Sequence, residues 1–396
     1  MALQTTPPTT LLTLPDDPLF HGIVAALASE SRGALRSLSA LARTCRFMAQ
    51  NLWSYVTRLD PVPSAMDNAR LAKMPWLTGL NLSKNWLITD DGLVGATRLT
   101  DLDLGANKLI TDASLSKLVR LKVLFLGINT GITDESISQL VHLQRLDLFW
   151  NQSVTHAAIQ RLTRLTCLQL GMNGNMTSAD MASLTNLTAL ELALGGGRLR
   201  DEAIAPLVQL TYLDMGFNSN FTDAGIMALT RLRSLTLGAN ALVTDRSIVC
   251  LTNLTFLNLG GASNITDAGI AALVQLTSLH LSANKIVTGA GIAAHLTRLT
   301  LLDLGLNETM RNEDLASLSG LTDLDLGAAT RVTDEGVALL VHLEYLSLEQ
   351  NVLITNAGIA SLARLKQLRR GLNRNVQDSP VAEEGEEGEG EHALFI

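Results

Sequence analysis

Leu99-Thr100-Asp101-Leu102-Asp103-Leu104-Gly105-Ala106-Asn107 is the stretch that decides the fold. The same phrase recurs, ending at Asn85, Asn129, Asn151, Asn173, Asn218, Asn240, Asn284, Asn307 and Asn351, at a step of 22 residues, occasionally 23. Three further copies keep the leucines but carry Gly195, Ala262 or Ala329 where Asn belongs, which makes thirteen, and a decayed fourteenth ends near Asn373. Such periodicity means a repeat architecture, in which each unit buries its apolar face only against its neighbours.

The residues of one copy have separate physical tasks. In Leu102-Asp103-Leu104 the two-residue alternation of a strand sends both leucines inward and the middle residue to an open face. A buried Asn at the following turn can satisfy backbone groups of its own copy and of the adjacent one, so a column of Asn forms a polar ladder. Then comes Thr111-Asp112, repeated as Thr89-Asp90, Thr133-Asp134, Thr222-Asp223, Thr244-Asp245, Thr266-Asp267 and Thr333-Asp334. These pairs read as helix N-caps. Glycines inside the segments (Gly92, Gly225, Gly269, Gly291, Gly336, Gly358) predict brief or loose helices. Two copies break step: Gly195-Gly196-Gly197-Arg198-Leu199-Arg200 predicts a kink or a distorted turn, and a residue is inserted near His295-Leu296.

The pattern Leu-x-x-Leu-x-Leu-x-x-Asn resembles that of the leucine-rich-repeat family, from about Leu77 to about Asn373. One departure is regular. The next apolar residue (Ile88, Ile110, Ile132, Val154) falls three places after the Asn instead of two. The resemblance implies an α/β solenoid: a horseshoe with a parallel sheet on its concave face and short helical turns on its convex face, about 13 repeats within residues 58–376. Thirteen strands at about 4.8 Å would span roughly 60 Å.

The middle positions of the strands run Asn81, Asp103, Phe125, Asp147, Gln169, Glu191, Asp214, Thr236, Asn258, His280, Asp303, Asp325 and Ser347, six of them acidic and none basic. Phe149, Tyr212, Phe256 and Tyr345 flank this column, with Asp101 and Asp323 beside it. Aromatics among carboxylates suit a basic or amphipathic protein segment. Solubility and protection of a sheet explain the same carboxylates without any ligand. The expected substrate-contact set is Asp103, Phe125, Asp147, Phe149, Gln169, Glu191, Tyr212, Asp214, Phe256, His280, Asp303, Asp325 and Tyr345. Trp150 and Phe217, directly before ladder residues, read as packing at the rim.

Before the repeats, a Thr/Pro-rich leader (1–13), expected to be disordered, precedes Leu14-Pro15-Asp16-Asp17-Pro18-Leu19 and then Ile23, Val24 and Leu27. Leu38, Leu41, Cys45, Met48 and Leu52 follow at helical spacing. Residues 14–57 resemble an F-box, through Leu14-Pro15 with its acidic follower, the apolar set Leu19, Ile23, Val24 and Leu27, and Leu41-Ala42-Arg43-Thr44-Cys45-Arg46-Phe47. Pro18, Gly22 and the Ala28–Gly33 linker depart from that pattern. The resemblance implies a small all-α domain binding a Skp-type adaptor, and a cullin ligase through it, with Leu14, Pro15, Asp17, Leu19, Ile23, Val24, Leu27, Leu38, Leu41 and Cys45 as the contact residues. A cap over the first repeat is the other reading of these helices.

Composition bounds the rest. Hydrophobic residues are 47% and charged residues 17%, enough apolar content for a large core. Of a formal net charge of -8, the acidic tail supplies seven negatives, Asp378, Glu383, Glu384, Glu386, Glu387, Glu389 and Glu391, within residues 377–396 that read as disordered. A nearly neutral body predicts no nucleic-acid partner. Three scattered cysteines, Cys45, Cys167 and Cys250, fit a reducing compartment. The absence of a basic-apolar leader and of long apolar runs predicts neither secretion nor membrane spanning. The seven histidines lack metal-ligand spacing, and no nucleophile elbow or phosphate loop is present. The sequence therefore predicts a non-enzymatic, cofactor-free and metal-free receptor, cytoplasmic or nuclear (in its own or a host cell), monomeric within a hetero-complex. It would hold a protein substrate for an SCF-type ubiquitin ligase, or else act as a leucine-rich-repeat scaffold or inhibitor.

Overall fold

The computed structural model describes residues 58–59, 66–193, 199–261, 264–327, 331–349 and 351–376. The expectations for the leader, residues 14–57 with the whole proposed adaptor-binding set, the tail, Gly195–Gly197, Ala262 and Ala329 lie outside these residues. The chain divides into two compact units between Glu191 and Leu192.

In the first unit seven parallel strands follow one another in chain order: β1 (Arg58–Leu59), β2 (Gly79–Asn81), β3 (Asp101–Asp103), β4 (Val123–Phe125), β5 (Arg145–Asp147), β6 (Cys167–Gln169) and β7 (Ala189–Glu191). The second unit repeats the arrangement with β8 (Tyr212–Asp214), β9 (Ser234–Thr236), β10 (Phe256–Asn258), β11 (Ser278–His280), β12 (Leu301–Asp303), β13 (Asp323–Asp325), β14 (Tyr345–Ser347) and β15 (Gln367–Arg369). Register is fixed by one rule: the central Leu of each strand opposes the central Leu of the next, as Leu102 opposes Leu124. A one-residue slip would turn every core leucine outward. Each copy adds the same apolar set to the interior; Leu99, Leu102, Leu104, Ile110, Leu115 and Leu118 are all at most 1% exposed. Full burial stabilises by about 1.5–3 kcal/mol for each such side chain.

The Asn ladder forms as the spacing implies. Asn129 Nδ2 donates to the carbonyl of Asn107 (2.5 Å), Asn151 to Asn129 (2.7 Å) and Asn173 to Asn151 (2.7 Å). In the second unit Asn240 donates to Asn218 and Asn307 to Asn284. The same Asn side chain accepts two N–H groups of its own turn: Asn107 Oδ1 takes those of Leu109 (2.8 Å) and Ile110 (3.0 Å). Holding the third residue after the Asn is what places Ile110, Ile132 and Val154 in the core, which accounts for the shifted apolar position.

The helices are brief, as the glycines predict, and the structure gives Thr and Asp separate tasks. Thr is the N-cap; Thr111 Oγ1 accepts from Ala113 N. The Asp after it reaches into the next repeat instead. Asp90 accepts from Thr111 N (3.0 Å), Thr111 Oγ1 (2.7 Å) and Ser114 Oγ (2.5 Å), and Asp223 does the same with Thr244 and Ser247. This is a second ladder, side chain to the following cap. Its position opposite Ser114 and Ser247 is Gly in other copies, and a Cβ on Gly225 would stand 2.6 Å from Asp201 Oδ1. Gly there admits the neighbour's carboxylate. Most described helices are four residues long; Gly289–His295, at the inserted residue, has seven.

Candidate functional site

The open face is built from the last residue of each three-residue strand and the one two places before it. In the first unit register brings Asp103, Phe125, Asp147, Gln169 and Glu191 into one row, and Asp101, Val123, Arg145, Cys167 and Ala189 into the next. In the second unit Asp214, Thr236, Asn258, His280, Asp303, Asp325 and Ser347 form the corresponding row, beside Tyr212, Ser234, Phe256, Ser278, Leu301, Asp323 and Tyr345. The residues singled out from the sequence therefore share one face within each unit, except Phe149, which lies two residues beyond the end of β5.

Four of the six carboxylates have a local task that the sequence reading missed. Asp103 Oδ1 accepts the N–H of Gly105 (2.8 Å), Asp147 that of Phe149 (2.7 Å), Asp214 that of Gly216 (2.7 Å) and Asp325 that of Gly327 (2.8 Å). Asn81 and Asn258 make the same bond. Each closes the chain as it leaves its strand, an Asx-type turn. Glu191 and Asp303 are different: Glu191 accepts from Gln169 Nε2 (2.6 Å), and Asp303 faces His280 Nδ1 (3.2 Å) and Ser282 Oγ (3.2 Å).

Cations were also missed. The flanking row includes Arg58, paired with Asp101 at 3.5 Å, and Arg145, whose guanidinium lies 5.3 Å from the Phe125 ring centroid. Arg369 of β15 stands 5.9 Å from the Tyr345 ring. The face is acidic without being purely so. Alignment on the 22-residue step would have found Arg145, two places before Asp147 as Tyr212 is before Asp214. His280 stacks near Phe256, with centroids 5.1 Å apart, and its Nε2 lies 3.2 Å from Ser278 Oγ.

Among the described residues Asp147 is strongly perturbed. Burial, reinforced by Glu191 and Asp103 and opposed by the Phe149 N–H and Arg145, pushes its carboxyl up to about 6. Burial likewise raises Asp325, Tyr345 and the Cys167 thiol. At the rim, Trp150 and Phe217 are not packed as expected: they are 51% and 73% exposed. Both adopt left-handed backbone, with φ of 59° and 60°, a region that disfavours large side chains. Phe149 lies against Trp150, ring centroids 6.3 Å apart. Among the described residues no group of His, Cys, Asp and Glu could hold a metal ion, and no described helix is long and apolar enough to cross a membrane.

A family model described as leucine-rich repeat matches residues 73–95, 209–229, 250–274 and 339–363. No curated protein matches the sequence. Among solved structures, an internalin (InlF) of Listeria monocytogenes is 26% identical over 91% of this chain and 98% of its own, with a TM-score of 0.53. TLR13, in its complex with ssRNA13, is 26% identical over 76% of this chain and 48% of its own, with a TM-score of 0.56. A leucine-rich-repeat protein of Leptospira interrogans, LIC12759, shares the fold at 24% identity and a TM-score of 0.52, over 75% of this chain and 85% of its own. The described residues share the leucine-rich-repeat fold, stacked as a solenoid within each unit, and the four matched segments carry its repeat signature.

Proposed function

We propose that the open face holds a protein partner through a basic segment, and that residues 14–57 present this partner to a Skp-type adaptor of a cullin ubiquitin ligase in the cytoplasm or nucleus. The observation that carries the first half is Asp147: a carboxylate half-withdrawn from water between Asp103 and Glu191, beside the Phe125 ring, gains most from an incoming cation. The row of carboxylates repels a phosphate backbone, so the single-stranded RNA of the TLR13 complex does not carry over to this face. The adaptor half rests on the sequence of residues 14–57 alone.

Both halves are tested with the full chain as bait in a cell lysate. Asp103→Asn, Asp147→Asn and Glu191→Gln together remove three charges yet leave side-chain acceptors in place, so loss of a basic partner in this variant supports the face. A partner retained at full strength removes it. Leu14→Ala with Pro15→Ala should abolish retention of purified Skp-type adaptor while sparing the partner. Adaptor binding by neither form would leave the second reading, a scaffold or inhibitor outside the ubiquitin system, which the likeness to a bacterial internalin over 91% of the chain favours.

A further inference from the structure

The sequence shows no basic patch, yet its repeat step aligns cations that lie far apart in the chain. Residues 66–191 contain eleven Lys and Arg and eleven Asp and Glu, a neutral balance. Each copy enters its next strand through a seven-residue segment: 72–78, 94–100, 116–122, 138–144, 160–166 and 182–188. These segments run from the end of each short helix to the start of the next strand, along one edge of the first unit. No Asp or Glu occurs in any of them, whereas Lys73, Arg98, Lys117, Arg120, Lys122, Arg161 and Arg164 do, all exposed.

Three of the seven share one register. Arg98, Arg120, His142 and Arg164 follow at steps of 22 residues, and Arg164 Nη1 lies 2.9 Å from His142 Nδ1. At the spacing of parallel strands the row from Arg98 to Arg164 is about 14 Å long. Among the described residues none of the seven cations makes an ion pair with a carboxylate; Lys117 acts on Asp90 at longer range. Five of these eleven carboxylates are held elsewhere, Asp90, Asp112 and Asp134 in the Thr ladder and Asp103 and Asp147 in Asx turns. The fold thus withdraws negative charge from the edge and leaves its positive charge uncompensated.

We infer that this edge is a second interaction surface, which docks an acidic, aliphatic-containing peptide segment of another protein. Charge gives the sign of the partner, since an uncompensated cationic row attracts a polyanion and steers its approach. Aliphatic side chains between the cations give its class: Val94, Val119 and Val141 are 63%, 49% and 44% exposed. A single-stranded nucleic acid would use rings for its bases to stack on, and the row offers only Trp76 at its end and the small His142 ring, itself against Arg164. Valines between arginines instead match leucine or valine among glutamates.

The test uses the full chain and a fluorescein-labelled dodecapeptide of three Glu-Glu-Leu-Glu repeats, with the Gln-Gln-Leu-Gln peptide as neutral control. Fluorescence anisotropy should show saturable binding of the acidic peptide alone in low salt, weakened about tenfold or more at 0.5 M salt, where screening is severe. Arg98→Glu, Arg120→Glu and Arg164→Glu together should abolish it, with far-UV circular dichroism unchanged because all three side chains are exposed. The open-face variant with Asp103→Asn, Asp147→Asn and Glu191→Gln should bind within about twofold of wild type, since its changes lie on the sheet face. Unaltered binding by the arginine variant, or no binding by wild type, overturns the inference. Tighter capture of a dodecauridylate, or of phosphatidylserine vesicles, than of the acidic peptide overturns the peptide assignment.

Discussion

Asp147→Asn should make the protein more stable at neutral pH while weakening its grip on a basic partner. Burial, with Glu191 and Asp103, raises the Asp147 carboxyl from 3.8 to about 6, against the pull of the Phe149 N–H and Arg145. A shift of that size disfavours the charged form in the folded protein by about 3 kcal/mol. Because the folded value lies above the unfolded one, the folded state takes up a proton between about pH 6 and pH 4 where the unfolded chain does not. Stability from this residue therefore rises as pH falls through that window and is at its lowest above it. Asn keeps an oxygen for the Phe149 N–H, bonded at 2.7 Å, and removes the charge. Arg145 loses a favourable neighbour, so the net gain should be about 1–2 kcal/mol at pH 8 and close to zero at pH 4.5. Urea unfolding followed by circular dichroism at the two pH values measures both. A destabilised variant at pH 8, or the same difference at both pH values, would refute the reasoning. Lost binding alongside gained stability is the trade expected of a recognition residue.

Other consequences follow from the two ladders. Asn129→Ala deletes one donated and two accepted bonds at a fully buried position and should cost about 3–5 kcal/mol in the same unfolding assay. Gly225→Ser should be tolerated to within about 1 kcal/mol, because Ser114 and Ser247 donate to the facing Asp at that position. Gly225→Val, which brings two methyls against Asp201 and Ile204, should cost more than about 2 kcal/mol. Burial raises the carboxyls of Asp90 and Asp223, but bonds from the Ser and Thr of the next repeat outweigh it and hold both below 3.8. Their stabilisation is present above the unfolded value and lost as pH falls through the lower folded one. Asp223→Ala should accordingly be less stable than wild type at pH 6, and the gap should narrow toward pH 2.

The fold was legible because its signal is redundant. Leu102-Asp103-Leu104 alone is an ambiguous apolar alternation, but thirteen copies fix strand, register and neighbour at once. The Asn ladder was legible for the same reason, since a polar residue repeated inside an apolar set needs a partner, and the adjacent copy is the one always present. Contacts between copies at other positions were not visible. Asp112 reads as part of a cap until Thr133 is seen to donate to it from the next repeat, and Gly225 reads as a weak helix residue until Asp201 is seen beside it. Arg145 stands in the row beside the one that the Leu-x-Leu alternation marks, and the cations of the edge are balanced by carboxylates along the chain and coincide only down the columns of the repeat.

The open-face aspartates show how far composition can mislead about a site. Asp103, Asp147, Asp214 and Asp325 each commit one oxygen to the N–H two residues on, a task that Asn81 and Asn258 perform without charge. Turn closure thus explains why an Asx residue stands there, and leaves only the choice of Asp over Asn to recognition. That choice is costly at Asp147 and Asp325, where burial opposes the charge, and Glu191 and Asp303 hold no such turn bond. If the open face binds as proposed, recognition falls on those four carboxylates, and substitution by the amide separates the two tasks. At Asp103 and Asp214 the amide should change binding little, whereas at Asp147, Glu191, Asp303 and Asp325 it should change binding without harming the fold.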